Sequence, residues 1–236
     1  MILCQLKTLN NAIKAAWSAA RCAKQLRWPN SWLSLNLCQH RAVVAVALVA
    51  PGVAVGQISA PEAAQMSAWV RTTGDHAGQP FAIIDKRNAR LFIFDENAVL
   101  RGASPVLLGL ASGDDSVPGI GERKIADIRP EERTTPAGRF QSEPGRNIAG
   151  EDIVWIDYDA AVSLHRVRNG KAADRRLERL KTPTSLDNRI SYGCVNVPTQ
   201  FYDAWIKPSL GTKPGVIYVI PETRSLASLL HTLKTR

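Results

Sequence analysis

The chain has 236 residues, of which 45% are hydrophobic and 22% are charged, and this composition excludes a disordered chain and suits one sizeable globular domain. Its formal net charge is +9, but 6 of the 30 basic residues lie in the first 56 positions, which contain no Asp or Glu. The remaining 24 basic and 21 acidic residues nearly balance, at about +3, so the charge predicts no nucleic-acid partner.

The first 56 residues are typical of a leader segment. An apolar stretch runs from Ala42 to Val55, with basic residues before it. The residues Ala54-Val55-Gly56 at its end fit a cleavage site. Because this stretch is too short to span a bilayer comfortably, we expect residues 1–56 to be a signal peptide or an N-terminal anchor that contacts the membrane. The protein is then exported to the periplasm or cell envelope. An organellar transit peptide and a wrongly assigned start codon remain alternatives.

Removal of this leader leaves a single cysteine. Cys4, Cys22 and Cys38 all lie within it, so Cys194 has no partner for an internal disulfide. A lone thiol in an exported chain is either buried and inert or reactive.

The residues after the leader predict a linker and then a β-rich domain. Residues 57–80 form the linker, with a short helix over 60–70 and with His76 solvated in a polar loop and without a role. Short apolar runs separated by turns, without helical spacers, favour an antiparallel sheet or sandwich over a parallel α/β fold. These runs are residues 81–84, 91–94, 99–100 and 105–110.

The middle of the chain combines a long loop with two strands. We predict a loop over 112–150, in which Pro136 and Gly138 form a stiff turn and Phe140 anchors its far side. Residues 153–156 predict a strand, and residues 162–165 predict another. In the second strand Ser163 and His165 lie on the face opposite the apolar residues, so the imidazole points into a groove or into solvent.

The last third of the chain supplies the helices. Residues 172–181 predict a solvated lid or inserted helix with Leu177 and Leu180 inward. A second helix begins at Pro198, with an apolar stripe of Phe201 and Trp205, and ends at Pro208. Residues 216–220 form a buried strand, and residues 223–236 hold a C-terminal helix. The predicted fold is mainly β with a few helices.

The segment Ser191-Tyr192-Gly193-Cys194-Val195-Asn196 places the lone thiol on a turn between a strand and a helix. A neighbouring imidazole or a helix N-terminus lowers the pKa of a cysteine, and His165 and the following helix could supply these. Backbone N–H groups around Tyr192, Gly193 and Cys194 could bind an oxyanion, and Asn196 could cap the helix or orient a substrate. No ligand spacing links His76, His165 and His231, so no metal and no cofactor are predicted.

These residues resemble the L,D-transpeptidases with a YkuD-type catalytic domain. That family carries a histidine, a spacer and then Ser/Thr-His-Gly-Cys-hydrophobic-Asn/Arg, which His165 and residues 191–196 match. Thr135-Pro136-Ala137-Gly138-Arg139-Phe140 resembles its Thr-Pro-x-Gly-x-Phe element, and the resemblance covers roughly residues 81–221. It implies a β-sandwich-like catalytic domain over 81–222 with a helix after the nucleophile.

The resemblance also implies the chemistry. Cys194 would attack a peptidoglycan stem peptide between the diamino acid and the terminal D-alanine, and the thioester would pass to an amine or to water. His165 would be the base, oriented by a backbone carbonyl near Arg166. The implied catalytic residues are Cys194, His165, Gly193 and Tyr192, and the implied substrate-binding residues are Ser191, Asn196, Arg189 and Arg166.

Two departures from the family pattern concern the acceptor. Tyr192 replaces the usual histidine, and the spacer between His165 and Ser191 is longer than usual because of residues 172–181. Two alternatives to a transpeptidase therefore remain. The first is a hydrolytic variant, either an L,D-carboxypeptidase or a wall amidase, and the second is a non-catalytic wall-binding domain with a buried cysteine.

Overall fold

The computed structural model describes residue 58 and residues 60–235. The predicted leader, residues 1–56, lies outside the described residues. Within them, no helix is both long and apolar enough to cross a membrane.

An eight-stranded mixed sheet forms the frame of the domain, with the strand order β3-β2-β1-β10-β5-β6-β7-β9, and β4 pairs with β8 beside it. The strands are β1 (Phe81–Asp85), β2 (Arg90–Phe94), β3 (Leu100–Pro105), β4 (Leu108–Gly109), β5 (Gly138–Arg146), β6 (Asp152–Asp157), β7 (Val162–Arg166), β8 (Arg189–Ser191), β9 (Val195–Val197) and β10 (Gly215–Ile220). The helices are α1 (Pro61–Thr73), α2 (Arg176–Arg179), α3 (Thr199–Phe201), α4 (Lys207–Ser209) and α5 (Leu226–Lys234), and a π-helical turn at Tyr202–Ile206 joins α3 to α4.

The prediction of a mainly β fold with a few helices is confirmed. Five of the strand pairs in the large sheet are antiparallel, while β1–β10 and β7–β9 are parallel, so the predicted antiparallel arrangement is only partly right. The parallel β7–β9 pair is the one that matters for the site described below.

Both faces of the sheet are covered at its centre. On one face Ala82 and Ile217 belong to the cluster that includes Tyr202 of the π turn, and on the other face Phe81 and Tyr218 pack with α1 and α5. Consequently every residue of β1 and β10 is buried, and apart from Asp85 at the end of β1 their sequences are apolar runs without polar alternation.

The segment predicted as a linker holds α1. Its Ala63, Met66 and Val70 are fully buried in the second core cluster, so this stretch packs onto the sheet. His76, predicted to be solvated, is 8% exposed, and its Nε2 lies 3.1 Å from the Glu96 carbonyl. The polar composition of the loop concealed this packing against Phe81.

Two predicted segments have different bounds in the structure. The predicted loop over 112–150 ends at Gly138, where the nine-residue strand β5 begins. The strands predicted at 99–100 and 105–110 correspond to the two ends of the single strand β3 and to the short β4. Most residues of β5 and β3 are not buried, so both lacked the dense apolar pattern that marks a strand. Phe140 packs against the core, as expected.

The helical predictions after the histidine are also only partly right. Residues 172–181 form a 3-10 turn (Ala172–Asp174) and the four-residue α2, with Leu180 buried but Leu177 49% exposed. After Cys194 comes strand β9, and only then the helical segment, whose fully buried residues are Tyr202, Ile206 and Leu210. Pro208 lies inside α4 and does not end the segment.

Candidate active site

Cys194 and His165 are brought together by two neighbouring strands. In the parallel β7–β9 pair, Leu164 lies opposite Val195 and His165 lies opposite Asn196. Cys194 immediately precedes β9, so its Sγ atom lies 3.6 Å from the Ser163 Oγ atom and 3.7 Å from the Ala161 carbonyl. Residues about thirty positions apart in the sequence therefore surround one sulfur atom.

The surroundings of Cys194 favour its thiolate. Burial raises the pKa of the thiol, but a hydrogen bond with His165 and the charge of that imidazole lower it. Ser163 also lowers the pKa through its backbone and its hydroxyl, and the net direction is downward. An exposed, unassisted thiol is mostly protonated at neutral pH, so this shift moves Cys194 towards its nucleophilic form.

The imidazole of His165 is held in one tautomer. Its Nδ1 atom lies 2.7 Å from the Arg166 carbonyl oxygen, which can only accept a hydrogen bond, so Nδ1 carries the proton. The Nε2 atom then bears a lone pair and can take the proton from the thiol. A backbone carbonyl at Arg166 is the orienting group that the sequence predicted.

The glycine turn before the thiol depends on Gly193. Its φ is +128°, and a Cβ atom at this position would lie 2.9 Å from the Thr134 carbonyl oxygen. Any side chain here would therefore displace the turn.

Ser191 holds this turn together and is not placed to bind a substrate. It is 3% exposed, and its Oγ atom donates to the Cys194 carbonyl at 2.6 Å while accepting from the Gly193 N–H at 3.1 Å. The predicted substrate contact of Ser191 is therefore replaced by a structural one. The Gly193 N–H is engaged here, so of the three N–H groups predicted to bind an oxyanion, those of Tyr192 and Cys194 remain candidates.

Asn196 also differs from its prediction. It lies on β9, 1% exposed, and neither caps the helix nor faces a substrate. Its Nδ2 atom lies 3.3 Å from the Cys194 carbonyl and 3.4 Å from His165 Nε2. Asn196 therefore orients the two predicted catalytic residues.

Both arginines predicted to bind substrate are engaged in ion pairs within the protein. Arg189 pairs with Glu222 and donates to the Lys86 carbonyl at 3.2 Å. Arg166 donates to Asp152 at 3.0 Å and lies 4.2 Å above the ring of Tyr202. Their charges are already compensated, and the contribution of Arg166 to the site is its backbone carbonyl.

Tyr192 lies at the rim of the site. Its ring is 39% exposed, and the guanidinium of Arg133 stacks 4.0 Å above it. Arg133 is itself fixed by a 3.1 Å bond to the Ile128 carbonyl. The pair forms a cation–π contact on the surface beside the turn, and no sequence signal pointed to Arg133.

A groove of about 730 Å³ is lined in part by His165, and Cys194 is not among its lining residues. Its lining includes His165, Arg166, Glu151, Arg168 and Thr199. It offers both acidic and basic groups to a ligand that reaches His165. The described residues contain no cluster of three His, Cys, Asp or Glu side chains suited to a metal ion.

Thr135 holds the glycine turn in place through its hydroxyl, a role that the sequence did not predict. Its hydroxyl donates to the Gly193 carbonyl at 2.8 Å and accepts from the Gly109 N–H at 2.8 Å. Its carbonyl accepts from the fully buried ammonium of Lys86 at 2.8 Å, and this ammonium also pairs with Asp114 at 3.0 Å. The Thr-Pro-x-Gly-x-Phe element therefore connects a buried ion pair to the glycine turn before Cys194.

Replacing Thr135 with valine is expected to destabilise the fold and to slow the reaction of Cys194. Valine matches the shape of threonine but leaves the buried Gly109 N–H and Gly193 carbonyl without a partner, at a cost of about 1–3 kcal/mol. Chemical denaturation and the rate of thiol alkylation measure the two effects. Thr135→Ser keeps the hydroxyl and is the control. Equal stability of the valine variant and the wild type would show that these bonds do not hold the turn.

No protein-family profile matches the sequence, and no curated protein matches it. Among solved structures, the chain is similar to the helical cell shape determining protein Pgp2 of Campylobacter jejuni (14% identity, 67% of this chain and 56% of that one, TM-score 0.39). It is also similar to a fused Zn-dependent amidase/peptidase/peptidoglycan-binding domain-containing protein of Clostridium acetobutylicum (13% identity, 66% and 62%, TM-score 0.34).

A third similar structure is the catalytic domain of the E. faecium L,D-transpeptidase (16% identity, 61% of this chain and 98% of that one, TM-score 0.29). The neighbours thus include an L,D-transpeptidase. The chain spans only about three fifths of the length of the Pgp2 and amidase/peptidase structures. The sequence identities and TM-scores of all three structures are low, and these similarities by themselves assign no function.

Proposed function

We propose that this protein is an L,D-transpeptidase that uses Cys194 as its nucleophile on peptidoglycan stem peptides. The observation that carries the proposal is the placement of His165 beside Cys194 by the parallel strands β7 and β9, where the Asn196 Nδ2 atom lies 3.4 Å from His165 Nε2 and 3.3 Å from the Cys194 carbonyl. The Arg166 carbonyl fixes the proton of this imidazole on Nδ1. The box around Cys194 and the Thr-Pro-x-Gly-x-Phe element add their resemblance to that family.

Acylation begins with transfer of the thiol proton to His165 Nε2. The thiolate attacks the carbonyl carbon between the diamino acid and the terminal D-alanine of a stem peptide, and the N–H groups of Tyr192 and Cys194 stabilise the oxyanion. The C–N bond then breaks, and the imidazolium returns the proton to the departing amine of D-alanine. The stem peptide remains attached to Cys194 as a thioester.

Deacylation transfers the acyl group from Cys194 to an acceptor. An amine of a second stem peptide attacks the thioester, His165 accepts a proton from this amine, and the sulfur leaves and is reprotonated. The product is a peptide cross-link. Water in place of the amine would give a trimmed stem peptide, which is the hydrolytic alternative.

We also propose that residues 1–56 direct export and that the enzyme works in the periplasm or cell envelope. The acid-free basic segment followed by the apolar stretch from Ala42 to Val55 supports this assignment. The cell wall is outside the cytoplasm, so the proposed substrate requires export. N-terminal sequencing of the protein recovered from the cell envelope tests the cleavage site.

Product analysis tests the proposed activity. The chain is incubated with disaccharide-tetrapeptide muropeptides, and the products are separated and weighed by liquid chromatography and mass spectrometry. A transpeptidase gives cross-linked dimers together with free D-alanine. Tripeptide monomers alone would assign the hydrolytic variant, and unchanged tetrapeptide bound to the protein would assign the wall-binding domain.

A further inference from the structure

The inserted segment between His165 and the cysteine box reaches into the site through Arg176. Only 18% of this side chain is exposed, although sequence analysis placed it on a solvated helix. Its Nη1 atom donates to Asn196 Oδ1 at 3.1 Å, and its Nε atom donates to Asp174 Oδ2 at 3.0 Å. Arg176 is thus fixed at both ends, by a carboxylate of its own segment and by an amide of strand β9.

The inserted segment is itself anchored. Helix α2 has four residues, too few to be stable through its own hydrogen bonds. Arg179 donates to the Asp174 carbonyl at 2.7 Å and to the Asp187 carbonyl at 2.6 Å, and Leu180 is buried with Leu107 and Val167. These contacts hold Arg176 at the site instead of leaving it on a mobile surface.

The guanidinium sets the orientation of the Asn196 amide. A guanidinium can only donate hydrogen bonds, so the amide oxygen must face Arg176. The amide nitrogen then faces the Cys194 carbonyl at 3.3 Å and His165 Nε2 at 3.4 Å. An N–H group beside Nε2 requires a lone pair on that nitrogen.

Two independent contacts therefore select the same tautomer of His165. The Arg166 carbonyl holds the proton on Nδ1, and the Asn196 amide, oriented by Arg176, favours an unprotonated Nε2. If the amide rotated, its oxygen would accept from a protonated Nε2 and favour the tautomer that cannot take the thiol proton. The Cys194 carbonyl opposes this rotation as well, so loss of Arg176 weakens the selection without abolishing it.

We propose that Arg176 is a positioning residue for the Cys194–His165 pair and acts through the Asn196 amide. This role rests on the proposed function. It gives the inserted segment, residues 172–181, which lengthens the spacer between His165 and Ser191, a part in positioning the pair. The charged groups near the pair are Glu151, Asp152, Arg166 and Arg168, which line the groove with His165, and Asp174 and Arg176 of the inserted segment. Hydrogen bonds from Asn147 and Arg168 lower the pKa of Glu151, and the charges of Arg168 and His165 lower it further.

The test follows thiol alkylation of the full chain by iodoacetamide across a range of pH. It is read on the peptide that contains Cys194, because the full chain also contains Cys4, Cys22 and Cys38. For Arg176→Ala we expect alkylation at neutral pH to slow by about tenfold, with the profile moved to higher pH by about one unit. Arg176→Lys restores part of the rate, because its ammonium can also donate to the amide oxygen.

Arg175→Ala is the matched control, since Arg175 lies in the same segment, is exposed and pairs with Glu178. Its alkylation profile should equal that of the wild type. The ¹⁵N chemical shifts of the His165 ring provide a second readout, and in Arg176→Ala the Nε2 resonance should move towards the protonated form.

An unchanged alkylation profile and unchanged ring shifts in Arg176→Ala would overturn the inference. Slower alkylation with a lowered melting temperature and no rescue by lysine would also overturn it, because that outcome indicates a general structural role. Alkylation requires no wall substrate. A failure of the proposed function, with no muropeptide acylation, is therefore distinguishable from a failure of the Arg176 inference.

Discussion

Replacing Cys194 with alanine is expected to abolish product formation from muropeptides, by at least about 10³-fold. The proposed reaction passes through a thioester, and no thioester forms without the sulfur. The side chain is small and lies on a turn that is held by the backbone and by Ser191, so the fold should survive the change. Chromatography of the muropeptide products measures the loss, and thermal unfolding verifies the fold.

Cys194→Ser is the matched variant for this experiment. Serine keeps the shape and a hydrogen-bonding group beside Ser163, but a hydroxyl is a far weaker acid than a thiol and His165 cannot ionise it as readily. We expect at most traces of product. Substantial turnover by the alanine variant would exclude Cys194 as the nucleophile and leave the wall-binding alternative or another chemistry.

Replacing His165 with alanine is expected to slow acylation by about 10²–10⁴-fold at neutral pH. Burial alone raises the pKa of the Cys194 thiol, and the hydrogen bond and charge of His165 are the leading effects that lower it. Without the imidazole the pKa rises, so the thiolate forms only at higher pH. The rate of acylation should therefore recover in part as the pH rises, whereas the wild-type rate is already high at neutral pH.

The control for this variant is His231→Ala, on the exposed side of helix α5. It removes an imidazole of the same kind without touching the site and should leave the pH profile unchanged. A His165→Ala variant with wild-type acylation at neutral pH would show that the imidazole does not activate the thiol.

The sequence predicted those parts of the fold that carry dense apolar runs. Strands β1, β2, β6 and β10 lie close to their predicted positions, because their apolar runs also set their burial. Strand β5 escaped prediction, and β3 was predicted only at its two ends, since one residue of each strand is buried and neither carries a dense apolar run.

The central pair of the site was predictable, and its supporting contacts were not. A lone cysteine after a glycine and a histidine at a strand end pointed to Cys194 and His165. By contrast, the roles of Ser191, Asn196 and Arg189 depend on partners such as the Gly193 N–H, Arg176 and Glu222. A polar residue in a motif can equally face a substrate or hold the backbone, and only the fold decides which.

Thr135 and Arg176 are two residues whose contacts with the site could not be predicted from the sequence. Each lies far from Cys194 in the sequence, and neither belongs to the cysteine box. The role inferred for Thr135 arises from the bonds of its hydroxyl with the Gly193 carbonyl and the Gly109 N–H, and the role inferred for Arg176 arises from its bond to the Asn196 amide. Sequence composition around residue 176 favoured a solvated helix, because residues 172–181 contain four basic residues and only two leucines.

The measurement that tests the central claim most directly is the intact mass of the protein after a brief incubation with a tetrapeptide muropeptide, followed by peptide mapping. The account predicts an added mass equal to the muropeptide less D-alanine, located on Cys194 and released by hydroxylamine. An adduct on any other residue, or D-alanine release with Cys194 shown to remain unmodified in every quenched sample, would contradict it.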